Sequence, residues 1–148
     1  MKTHGGKLVK VRLPVLLLTL AGSMLCMRAH AQVVVIANSS VGTTEISKAE
    51  LRDVFTGASS NLKGGMQVLP VLQKQGVVNS GFLNLYVGKS DSAFRASWRS
   101  ILFSGQGTMP RTLESDAAVV EYVAHTAGAI GYIGKSMPHK GVKILVVR

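Results

Sequence analysis

Three polar loops carry the residues best suited to chemistry: Asn38–Gly42 (NSSVG), Gln73–Gly81 (QKQGVVNSG) and Ser104–Arg111 (SGQGTMPR). Their common capacity is to hold a tetrahedral oxyanion, which needs backbone N–H groups at a helix start, hydroxyl donors and a cationic counter-charge. Ser39, Ser40, Asn79, Ser80 and Gly81 are the candidate hydroxyl, amide and backbone donors, and Lys74 and Arg111 the candidate counter-charges. Each also has a plainer role. Ser39 and Ser40 suit an ordinary turn, Ser80 a helix cap, and Arg111 beside Pro110 a solvated loop charge.

Catalytic constellations have little support. The seven acidic residues are scattered at helix starts and faces, so no pair is placed for general acid and base work. His125 and His139 lie fourteen positions apart without an HxxxH or HExxH pattern, so neither a metal nor another cofactor is expected. Nothing in the spacing recommends Ser39 or Ser80 as a nucleophile with His125. Binding, not turnover, is the expectation.

The elements that must position these loops begin with Val33–Ala37 (VVVIA), a short apolar run rich in β-branched residues that predicts a strand buried on both faces. Glu45–Gly57 (EISKAELRDVFTG) predicts a capped helix. Ser47 and Glu50 form a capping box, Ile46 and Leu51 a hydrophobic staple, Leu51, Val54 and Phe55 an apolar stripe, and Gly57 a left-handed stop. Met66–Leu72 reads as a second strand, in which Pro70 favours an edge position or a strand end. A helix is expected over roughly 81–87, opened by Asn79-Ser80-Gly81 and stopped by Gly88.

A longer helix follows over Asp91–Phe103, with Phe94, Trp98, Ile101 and Leu102 facing the core and Arg95 and Arg99 on a solvated face. Ser115 caps another to about His125, Ala129–Ile133 and Val142–Val147 complete the strands, and Ser104–Arg111 reads as a break. Interleaved strands and helices predict one α/β domain with a mixed or mainly parallel sheet.

The first 31 residues read as a cleavable leader: Lys2, Lys7, Lys10 and Arg12 precede the apolar core Leu13–Leu25, and Ala29-His30-Ala31 places the cut before Gln32. That core is shorter than the roughly 20 residues a membrane span needs, so no stable span is expected after cleavage. The domain is then 32–148, and Cys26, the only cysteine, leaves with the leader. Five of the 17 basic residues leave too, so 12 face seven acids and the net charge falls to +5. That suits an anionic ligand or plain solubility. Dispersed cations and few aromatics argue against nucleic acid.

A strand ending in Asn38-Ser39, then IS-x-x-EL-x-x-VF-x-G over Ile46–Gly57, and later Gly128–Tyr132 (GAIGY), resemble the periplasmic phosphate-binding proteins of ABC importers, and especially their short single-lobe relatives. The resemblance covers most of Val33–Val147 and implies an α/β lobe of the type II periplasmic-binding-protein kind, three-layered, with helices flanking the sheet. It implies a periplasmic protein that reversibly binds phosphate or a similar oxyanion, with an ABC permease or another periplasmic protein as partner. In that family the loop after the second strand carries Arg and then Ser-Gly-Thr opening a helix before Phe. Here Gln73 or Lys74 stands near the Arg position, Asn79-Ser80-Gly81 near the triplet, and Phe82 matches the aromatic. Lys lacks the bidentate fork of Arg. That departure keeps a second function open: an accessory or interaction module of the same fold that has lost its ligand.

Overall fold

A computed structural model describes residues 32–148, so the predicted leader lies outside the described residues. The order of elements is β1 (Val33–Ala37), β2 (Glu45–Ile46), α1 (Lys48–Thr56), β3 (Leu69–Gln73), α2 (Val77–Phe82), a π-helical turn (Leu83–Val87), α3 (Asp91–Phe103), β4 (Arg111–Leu113), α4 (Asp116–His125), β5 (Ala129–Gly134) and β6 (Lys143–Val147). The six strands form one mixed sheet in the order β2-β6-β1-β5-β3-β4. β3, β4 and β5 run parallel to one another, while β1 runs antiparallel to both its neighbours, β5 and β6.

One face of the sheet packs on α1, α2 and α3 through a core that includes Val35, Phe55, Phe82, Trp98 and Tyr132. The other face packs on α4 through Ile36, Val71, Val119, Val123 and Ile133. β1 therefore feeds both cores, which is why its sequence is apolar without alternation. Helices on both faces give the expected three-layer α/β architecture.

α1 forms as its sequence demands. Ser47 Oγ accepts from Glu50 N at 3.2 Å, Glu50 accepts from Ser47 N at 3.2 Å, and Gly57 closes the helix at φ 79°. Glu50 does more than cap: its second oxygen accepts from Lys63 N at 3.0 Å, tying the following loop to the helix start. Together the Ser47 hydroxyl and the Lys63 N–H hold its carboxyl below the usual carboxylate range.

β3 is an interior strand, and Pro70 takes the expected place at a strand end, before the pairing with β4 begins at Val71, so its missing N–H breaks no bond of that ladder. β2 and β4, of two and three residues, are too short to show a period. Arg95 is half-buried and paired with Asp91 rather than solvated, and Leu102 is 42% exposed. α2 starts at Val77 rather than near Gly81, because Val78 packs on the core and Asn79 is buried in its first turn.

GAIGY reads cleanly against this frame of elements. A Cβ on Gly131 would stand 2.7 Å from Val119 Cγ1, so only glycine lets α4 lie this close to the sheet. On the opposite face Tyr132 is fully buried and stacks on Phe82 with ring centroids 3.9 Å apart.

Candidate functional site

The carboxyl ends of β3, β4 and β5 lie along one edge of the sheet, the usual place for a ligand in an open α/β fold. α2 and α4 begin there, and α3 joins them through its first residue, Asp91. Helix starts carry partial positive charge and unpaired N–H groups, so this edge favours anions.

The chain supplies those anions itself. Asp91 accepts from Gln75 Nε2 at 2.6 Å, Asn79 Nδ2 at 2.8 Å and Arg95 Nε at 2.8 Å. Burial pushes its pKa up, but the hydrogen bonds from Arg95, Gln75 and Asn79 and the Arg95 charge outweigh that and leave it lowered. Asp116, at the start of α4, accepts from Gly134 N at 3.0 Å and from Gln73 Nε2. Tyr132 joins the two halves: its hydroxyl donates to Asn79 Oδ1 at 2.6 Å and accepts from Gln73 N at 2.9 Å. Burial raises the Tyr132 pKa, so the hydroxyl keeps its proton. The space left among Gln73, Asn79, Asp91, Arg95 and Thr112 is about 10 Å³, room for one water and not for a phosphate.

Beside this closed network is an open groove of about 450 Å³, lined by Gln32, Val78, Gly134, Lys135 and Ser136. α2, six residues long, has no side-chain cap.

The seven residues singled out from sequence do not converge. Ser39 and Ser40 follow β1 and lie level with Gly128, at the opposite end of the sheet from Lys74, because β1 is antiparallel to β5 and β3 is parallel to it. Six strand positions separate the two levels, about 20 Å at 3.3 Å per residue. Ser40 is also committed: its Oγ accepts from Gly128 N at 2.9 Å, while its N–H donates to Asn38 Oδ1 at 2.9 Å. Ser39 is exposed.

At the carboxyl edge, Lys74 pairs with Glu114 at 2.6 Å on the surface. Asn79, 3% exposed, spends its side chain on Tyr132 and Asp91. Ser80 is exposed and Gly81 half-buried, both inside α2. Arg111 opens β4, level with Val71, and its guanidinium stands 5.0 Å over the Tyr122 ring.

The sequence reading passed over Asp91 and Asp116 as plain helix-start residues and did not consider Lys135 or Ser136. A signal was present: Ser-Asp opens both α3 and α4, at Ser90-Asp91 and Ser115-Asp116. Among the described residues no cluster of His, Cys, Asp and Glu has the makings of a metal site, and no helix is long and apolar enough to cross a membrane.

The chain resembles phosphate ABC transporter substrate-binding proteins in structure. A protein of that description from Clostridium perfringens, solved with bound phosphate, matches at TM-score 0.61 and 16% identity, over 78% of this chain and 44% of that one. PstS from Borrelia burgdorferi matches at 0.57 and 20%, over 79% and 47%. An ABC-type phosphate transport receptor from Vibrio cholerae matches at 0.53 and 15%, over 78% and 46%. The chain thus spans less than half the length of each. No protein-family profile and no curated protein matches the sequence.

Proposed function

We propose that the protein is an exported, non-catalytic lobe of the solute-binding type that serves as a periplasmic accessory or interaction module. The observation that carries this is the occupation of the carboxyl edge by the chain's own Asp91 and Asp116 carboxylates, with space for a single water between the buried groups. An anion entering there would meet two negative charges already holding the available donors. The solved neighbours bear the names of phosphate transport proteins, so the partner class is an ABC permease or another periplasmic protein.

A second function is favoured by the open groove. There a phosphate-type oxyanion would be held reversibly on a half-site by Lys135 and Ser136, once a partner or second copy supplies the facing wall. Ser39, Ser40 and Arg111 lie too far along the sheet to belong to it.

Thermal unfolding against phosphate, sulfate and a neutral solute separates the two. A ligand at a hundred times its dissociation constant adds about 2.7 kcal/mol, a rise of about 10 °C for a chain of this length. The accessory module shows no rise with 10 mM phosphate. A rise that vanishes in Lys135→Ala with Ser136→Ala would overturn it in favour of the half-site.

A further inference from the structure

A second concave surface, outside that edge, lies at the other end of β3 and β4. It is a groove of about 380 Å³ between the α1 and α3 ends and the Gln106–Pro110 loop. Val68, Trp98 and Ile101 give it an apolar floor, with Leu69 and Met109, 46% and 36% exposed, at the rim, while Ser59, Ser60, Gln67, Gln106 and Thr108 make much of the rest of the wall polar. Of the residues lining it only Arg111 is charged, and no carboxylate lines it at all. Among the described residues Arg111 has neither a hydrogen-bond acceptor nor an acidic partner. One face of its guanidinium is braced on Tyr122, which leaves the N–H edges available.

We infer that this groove binds a small amphipathic monocarboxylate, its apolar body against Trp98 and Ile101 and its carboxylate on the Arg111 fork. The volume falls within the range of small-molecule sites. A lone guanidinium beside an apolar floor selects a planar carboxylate by two parallel N–H···O bonds. A neutral molecule of the same length gains the floor but not the fork. Inorganic phosphate gains the fork but leaves the floor wet. Of the residues around Asp91 the groove shares only Met109, and neither Asp91 nor Asp116 lines it, so this inference stands or falls apart from the proposed function.

Trp98 is the only tryptophan in the sequence and lies in the floor, so its emission reports occupancy directly. Octanoate titrated into the protein at low salt should change that emission saturably, while octan-1-ol at equal concentration binds at least tenfold more weakly and phosphate does not saturate. Arg111→Gln should weaken octanoate at least tenfold and leave octanol unchanged. Arg111→Lys, which keeps charge without the fork, should fall between. Met109→Glu, at an exposed rim position that leaves the Arg111–Tyr122 stack alone, should repel octanoate equally well. Melting curves of each variant confirm that it is folded. Absence of saturation with octanoate, equal binding of octanoate and octanol, or unchanged octanoate affinity in folded Arg111→Gln and Met109→Glu would each overturn the assignment.

Discussion

Replacing Tyr132 by Phe removes one oxygen and leaves the ring stacked on Phe82. That oxygen serves two buried partners: it receives the Gln73 N–H and donates to Asn79 Oδ1. The cost is therefore two polar groups left unpaired in the core, each about 1–3 kcal/mol, and we expect a combined loss of about 3 kcal/mol. At about 4 °C per kcal/mol for a chain of this length, the melting temperature should fall by about 12 °C. Urea unfolding should show a lower midpoint with an unchanged slope, since the same surface is exposed on unfolding. A double-mutant cycle sharpens the test. In an Asn79→Leu background one of the two orphans is already gone, so Tyr132→Phe should cost about 1–2 kcal/mol less than in the native chain. A loss below about 0.5 kcal/mol, or strict additivity in the cycle, would refute the claim that this hydroxyl joins β3 to α2.

Gly131→Ala drives a methyl group to 2.7 Å from Val119 Cγ1, and α4 must lift; chemical denaturation should report a loss of about 1–3 kcal/mol. Ser47→Ala should cost about 1 kcal/mol by removing the cap of α1, read from the same curves. Glu50 and Asp91 both have folded pKa values below their unfolded ones. Their contribution is present in full above the unfolded value and is lost as pH falls through the folded one. Stability measured from pH 6 to pH 2 should decline, and Glu50→Gln should flatten part of that decline. The surface pair Lys74–Glu114, both more than half exposed, should yield less than about 1 kcal/mol to Lys74→Ala and lose that in high salt.

Where local chemistry alone decides the structure, the sequence could be read closely. The capping box at Ser47 and Glu50, the stop at Gly57 and the cap at Ser115 are set by neighbours a few residues away, and the strands at Val33–Ala37 and Ala129–Gly134 announce themselves by short apolar runs. What escaped was set by distant partners. β2 and β4 exist because β6 and β3 offer free edges. α2 begins at Val77, against the poor helix propensity of two valines, because Tyr132 and Asp91 fix Asn79. The edge was mis-assembled for the same reason. Ser39 and Lys74 each follow a strand, and nothing local reveals that the two strands run in opposite directions.

That antiparallel strand has a consequence for how the protein comes to be folded. β1 is the first strand made, yet its neighbours are among the last: Val35 pairs with Tyr132, 97 positions on, and with Leu145, 110 positions on. The middle of the sheet cannot close around a partial chain, although β3 and β4 can pair before β5 and β6 are made. Such non-local pairing slows folding, because long loops must be closed before any pairing rewards them. On the export route proposed above, that delay leaves the sheet unformed until its last strand has arrived.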